Sequence, residues 1–106
     1  MALVEVFGDS KFPAMPRVEK YIQARNVYLG ALVTEWEGQQ EKAIDGYVES
    51  ARMSEDFTMG YAQCLTLASA WLKGEEKSER ARKLLERLVE AQPKQRVAKD
   101  MLERLR

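Results

Sequence analysis

One helical pattern occurs twice in this chain of 106 residues, and the repetition limits which folds are open to it. The repeated apolar positions have the spacing of one helix face, in segments that read Ala43-Ile44-x-x-Tyr47-Val48-x-x-Ala51 and Ala81-x-x-Leu84-Leu85-x-x-Leu88-Val89. Corresponding positions are 38 residues apart. A helical hairpin of this size cannot bury its apolar face alone, so it must stack on its neighbour. The pattern therefore predicts an all-α fold, a short right-handed α-solenoid of two helical hairpins with a C-terminal capping helix.

Proline and glycine residues divide the chain into an arm and a helical domain. Residues 1–15 are predicted to be an N-terminal arm, either a short strand or a strap over exposed core, because Pro13 and Pro16 block helix there. Residues 16–106 form the predicted repeat domain. Its helices are expected from Pro16 to just before Gly38 and over about residues 40–54, 58–73, 78–92 and 94–106.

The apolar residues of each predicted helix indicate which face lies in the core. In the first helix they recur at alternating spacings of three and four, and we expect this stripe to face the rest of the domain. Its members are Val18, Ile22, Arg25, Leu29, Leu32 and Trp36, widened by Tyr21, Tyr28 and Val33. The last helix is expected to cover the fourth with one apolar face, formed by Val97, Met101, Leu102 and Leu105. Its polar back would then end the stack.

The two segments resemble the tetratricopeptide repeat (TPR) family, whose pattern is W-x2-L-G-x2-Y, then A-x3-F, then a closing Pro. The second-helix half matches in both repeats, as Ala43-x3-Tyr47 and Ala81-x3-Leu85, and Glu90-Ala91-Gln92-Pro93 resembles the closing turn. In the first repeat, Leu29-Gly30-x2-Val33 matches the middle of the first-helix pattern. The corresponding segment of the second repeat matches less well and reads Tyr61-x2-Cys64-Leu65-x2-Ala68. The 38-residue offset is about one helical turn longer than the family's repeat. The resemblance covers roughly residues 23–106, and Sel1-like repeats are the near alternative.

The resemblance implies a ligand-binding groove, because in TPR proteins the first helix of each repeat lines the concave side. By register, the lining residues would be Val27, Ala31, Thr34, Ala62, Thr66 and Ser69, bordered by Asp100 and Arg104. The alternative is that two repeats are too few for a groove and that these residues merely pack. The set is small and mostly neutral, which argues against the TPR mode that clamps a peptide's terminal carboxylate.

The residue types that catalysis and metal binding usually require are scarce. The chain has no histidine, which removes the commonest general base and metal ligand, and it has one cysteine, Cys64. Cys64 stands in an apolar stretch and is predicted to be a buried filler. We therefore expect neither an enzyme nor a bound cofactor or metal.

The remaining expectations concern partners and location. The 17 basic and 17 acidic residues balance, so no nucleic-acid partner is expected. No apolar run is long enough for a membrane span and no secretion signal is seen, so the predicted location is cytoplasmic. The leading interpretation is a TPR-like adaptor that binds a peptide or helix of another protein. The alternative is an assembly domain that forms a homodimer or docks within a larger protein. The first half of the chain is acidic and the second half basic, which indicates either ordinary solvated helix surfaces or a tendency to head-to-tail association.

Overall fold

Five helices follow one another along the part of the chain that the structure describes. The structure is a computed structural model that describes residues 15–74 and 78–105. The helices are α1 (Met15–Trp36), α2 (Gln40–Met53), α3 (Met59–Gly74), α4 (Glu79–Ala91) and α5 (Val97–Arg104), and no strand occurs in these ranges. The predicted all-α class is confirmed there. The predicted arm lies outside the described residues except for Met15, which begins α1.

Two of the predicted turn residues have the expected local geometry. Gly38 follows α1 with φ of +87°, a left-handed conformation that costs glycine little and other residues more. Ser78 precedes α4, and its side chain accepts a hydrogen bond from the Ala81 N–H at 3.1 Å. The N-cap therefore satisfies one of the amide groups that the first helical turn leaves unpaired.

The core lies where α2 and α4 direct their apolar faces. The side chains that are completely or almost completely enclosed include Tyr47, Val48, Phe57, Leu85 and Leu88. The predicted inward faces of α2 and α4 are confirmed by this burial. Each helix packs on the next one along the chain, and α2 also contacts α4.

A glycine allows α3 to begin directly against α2. A Cβ atom added to Gly60 would lie 2.5 Å from the carbonyl oxygen of Tyr47 and even closer to the hydroxyl of Ser50. Ser50 in turn donates to that same carbonyl oxygen at 2.7 Å. Because the obstacle includes backbone, the neighbouring helix cannot yield by a change of side-chain rotamer.

The side chain of Gln92 joins the end of α4 to the end of α2. Its amide Nε2 donates to the carbonyl oxygens of Ala51, Ser54 and Phe57, at 3.0, 3.1 and 3.0 Å. These carbonyls belong to the last turn of α2 and the turn that follows it, where helical partners run out. Gln92 is only 2% exposed, so the bonds are shielded from water.

Helix α5 is held by a hydrogen bond from its backbone and by an apolar face. The Ala98 N–H donates to the Tyr61 hydroxyl at 2.9 Å, and Ala98 is completely buried. Met101, Leu102 and Leu105 pack half-buried against the core, as expected. Val97 is 49% exposed, so its predicted place in the core is wrong, because Ala98 takes the inward position of the first turn.

The predicted orientation of α1 is wrong for most of its stripe. The buried residues of α1 are Ala24, Tyr28 and Ala31. The helix is apolar on two sides, and the side with two alanines comes close enough to α2 for the Tyr28 ring to reach Tyr47 and Phe57, with ring centroids 5.6 and 5.5 Å apart. The spacing of apolar residues alone does not show which of two apolar faces is buried. The face with small residues is buried here because it lets α1 approach α2 closely.

The close contact at Gly60 predicts a large loss of stability on adding one methyl group. We expect Gly60→Ala to lower the free energy of unfolding by at least about 1–3 kcal/mol through overpacking. Gly30→Ala is the matched control, because nothing lies within 4 Å of a Cβ added there and alanine favours helix. Thermal unfolding followed by circular dichroism measures both. Equal melting temperatures for the two variants would contradict the α2–α3 contact.

The Gln92 bonds predict a second, purely polar effect. Gln92→Met keeps the length of the side chain and removes the amide, which leaves three carbonyl oxygens without this donor. We expect a loss of about 2–4 kcal/mol in a urea titration, since buried unsatisfied groups cost about 1–3 kcal/mol each and partial relaxation is normal. Gln23→Met, at an exposed position of α1, should change stability by less than about 0.5 kcal/mol. A small effect at Gln92 would show that water replaces the amide at little cost.

Candidate functional site

One member of the predicted groove is part of the core instead. Ala31 is only 5% exposed, and a Cβ added to Gly46 of α2 would lie 2.8 Å from the Cβ of Ala31. The predicted role of Ala31 as an open lining residue is therefore wrong. The physical reason is that α1 and α2 use their small residues for close packing, which leaves no space beside Ala31.

The other predicted residues lie nearer the surface. Ala62, Thr66 and Arg104 are exposed, while four are half-buried: Val27, Thr34, Ser69 and Asp100. The hydroxyls of Thr34 and Thr66 donate to the carbonyl oxygens of Gly30 and Ala62 in their own helices, at 3.0 and 3.2 Å. Those hydroxyls are thus engaged within the helix, and these positions offer a ligand mainly methyl groups.

A polar contact that the sequence analysis missed joins α1, α2 and α3. The carboxylate of Glu35 accepts a hydrogen bond from the Tyr47 hydroxyl and lies 3.5 Å from the amide nitrogen of Gln63. Burial, followed by the hydrogen bond to Glu35, raises the pKa of Tyr47 above its ordinary value. The phenol therefore keeps its proton and acts as a donor that fixes Glu35. This arrangement positions helices and holds no nucleophile.

The most conspicuous surface of the described residues is the side of α1 that points away from the core. We call it the outer face of α1; it consists of Met15, Val18, Ile22, Leu29, Val33 and Trp36. At 100° per residue, these positions lie opposite Ala24 and Ala31. Val18 is half-buried, and the other five are between 42% and 90% exposed, Trp36 most of all. Of the eight large apolar side chains that are exposed in the described residues, six lie on α1.

A cavity of about 660 Å³ lies where the start of α1 meets the ends of α2 and α4. Most of the charged residues on its rim are paired with each other or with neighbours: Arg17 with Asp56, Lys94 with Glu55 at 3.1 Å, and Arg52 with Glu90 at 3.4 Å. Lys20 also lines the cavity and forms no ion pair with a described residue. The hydrogen bond from Arg17 holds the pKa of Asp56 below its usual range. The cavity therefore offers a ligand little uncompensated charge.

Two of the four basic residues of α4 are paired with acidic residues of α2. Arg80 pairs with Glu41, and Arg87 reaches Asp45 at 2.9 Å. The Arg80 guanidinium also lies over the Trp71 ring, 3.9 Å from its centroid. This surface is consequently a set of inter-helix ion pairs.

Two findings in the described residues bear on catalysis and on metal binding. Cys64 is buried as predicted, and burial raises the pKa of its thiol to about 12, so the reactive thiolate is scarce at neutral pH. Within residues 15–74 and 78–105, no three His, Cys, Asp or Glu residues come together as a metal site would need. None of the helices in these ranges combines the length and apolarity that crossing a membrane requires.

Comparison with known proteins adds no family to this picture. The chain matches no protein-family model, no curated protein and no solved structure. The resemblance to TPR proteins therefore stays a prediction that rests on the residues quoted above.

Because Ala31 is buried and Thr66 is exposed, the same substitution should destabilise the protein strongly at position 31 and hardly at all at position 66. Ala31→Arg should lower the free energy of unfolding by about 1–3 kcal/mol or more, because a long charged side chain does not fit between α1 and α2. Thr66→Arg should change it by less than about 0.5 kcal/mol, since position 66 is exposed. Chemical denaturation of both variants tests this. An Ala31→Arg variant as stable as wild type would contradict the burial of Ala31.

Proposed function

We propose that this chain is a helical protein-interaction module that docks an α-helix of a partner on the outer face of α1. The observation that carries the proposal is the exposure of an apolar stripe, interrupted only near its middle, along a helix of 22 residues, about 33 Å long. Contiguous exposed apolar surface on a small domain marks an interaction site more often than scattered apolar residues do. A helix laid along such a stripe is one of the common modes of recognition.

The two-sided character of α1 supports this proposal independently. A helix at the edge of a domain ordinarily has one apolar face, whereas a helix that is apolar on opposite sides is typical of a buried position. In this chain α1 packs on α2 with one side and leaves the other side to water. Covering that side would remove apolar area from water, at about 25 cal/mol per Å² before the costs of association.

The stripe also indicates what kind of partner fits. Its members follow one another at spacings of three, four, seven, four and three, which all keep to one helix face, so the complementary surface is an amphipathic helix with a similar spacing. Arg25 and Asn26 interrupt the stripe near its middle and offer donors and an acceptor to a polar side chain of the partner. Trp36, 90% exposed at the end of α1, is the largest anchor on this surface.

A second candidate is the TPR-like adaptor in which a right-handed solenoid binds a peptide on its concave face. The exposure of Ala62, Thr66 and Arg104 supports it. The burial of Ala31 weakens it, because one central lining position is closed. Both candidates describe a binding module rather than an enzyme, but they assign the partner to different helices.

Affinity capture with three baits separates the two candidates. Wild type is compared with a double variant, Leu29→Glu with Val33→Glu, and with Thr66→Arg; each bait is first shown to keep its melting temperature. If the outer face binds, proteins recovered by wild type should fall at least tenfold with the double variant and persist with Thr66→Arg. The reverse pattern would assign binding to the concave face. Equal recovery by all three baits would contradict both candidates.

A further inference from the structure

We infer that the occupant of the outer face of α1 is a second copy of this chain, with the two α1 helices side by side and antiparallel. The inference rests on the proposed function, because it names the partner of the same surface. It makes the pair isologous, meaning that each copy contributes the same residues to the interface.

The argument begins with the order of apolar residues along α1, which reads the same in both directions. In an antiparallel pair centred between Arg25 and Asn26, the numbers of two residues that face each other across the pair add up to 51. The apolar members then meet in three kinds of contact: Met15 with Trp36, Val18 with Val33, and Ile22 with Leu29. No member of the stripe is left opposite a charged residue.

The angular positions of these partners also fit. At 100° per residue, Met15 and Val33 lie on one side of the midline of the stripe, and Val18 and Trp36 lie on the other. Each contact therefore brings together residues from opposite sides of the midline. Side chains in that relation interdigitate instead of meeting end to end, which is how ridges of one helix fill the grooves of another.

The polar residues favour the antiparallel direction over the parallel one. In the antiparallel pair Arg25 faces Asn26, whose side-chain oxygen already lies within 3.5 Å of the Arg25 guanidinium of its own chain. A parallel pair would instead place Arg25 against Arg25. Opposed helix dipoles add to this preference.

The size of the surface sets the expected strength. One helix pair about 33 Å long lies at or below the roughly 1,200 Å² that marks the low end of stable interfaces. The pair should therefore be reversible, with a dissociation constant on the order of 10–100 µM. A monomer that is folded by its own core and a dimer that forms at higher concentration are both expected.

Light scattering after size-exclusion chromatography tests whether the pair forms. The full chain, loaded from about 1 µM to about 1 mM, should shift from the mass of a monomer towards that of a dimer. Leu29→Glu should remain monomeric at every loading with an unchanged melting temperature. Thr66→Arg, substituted on α3, should associate as wild type does.

Mixed cysteine variants test the direction and the register. Val18→Cys and Val33→Cys should each form little disulfide alone, whereas their equimolar mixture should form a cross-linked heterodimer at least fivefold faster under mild oxidation. Lys42→Cys, exposed on α2, reports random collision. The native Cys64 is buried and is common to all samples.

Each other outcome overturns the inference in a recognisable way. Preferential self-cross-linking of Val18→Cys would indicate a parallel pair, and mixture rates equal to those of Lys42→Cys would exclude the register. A wild type that stays monomeric at every loading would exclude the second copy. In that case, the proposed function would still hold if wild type captured another protein and the Leu29→Glu, Val33→Glu double variant did not. If the double variant captured that protein equally well, both the inference and the proposed function would be contradicted.

Discussion

The packing of α4 against the end of α2 depends on the side-chain amide of Gln92. It donates to three carbonyl oxygens around the end of α2, so it fixes where α2 stops and where the turn into α3 begins. The next contacts follow from that turn: Gly60 lies against Tyr47, and Tyr61 reaches the backbone of α5. A buried side-chain amide in this role compensates for the absence of a glycine C-cap at the end of α2, where Ser54 is extended.

The helices and the core of α2 and α4 were predictable from the sequence because those helices have one apolar face each. Tyr47 and Leu85 stand at matching positions of the repeat, and both are fully buried. The contacts that depend on partners distant in sequence were not predictable. Gln92 was recognised as part of a closing turn but not as a donor to α2, and Glu35 carries no local signal that it accepts from Tyr47. Such pairings are set by packing and are not encoded in spacing.

The candidate site was predictable only in part, and α1 explains why. Its stripe was correctly identified as mostly apolar, with Arg25 as the charged member, but burial was assigned to the wrong side for most of it. The side that packs on α2 is marked by Ala24 and Ala31, whose small size is a weak signal in a hydrophobic pattern and a strong one in helix packing. For the same reason Ala31 was expected on an open surface. The larger side chains, Leu29 and Trp36 among them, are the ones that remain exposed.

The two ends of the helical array differ, and the difference governs how far an assembly can grow. At one end α5 presents Lys99, Glu103 and Arg104 to solvent; at the other, α1 presents its apolar outer face. Contact between unlike ends would repeat in every copy and produce an open filament. Contact between two apolar ends buries both of them and leaves none for a further copy. The proposed pair of α1 helices would therefore end the assembly at two copies, because the two ends that remain are the charged surfaces of α5.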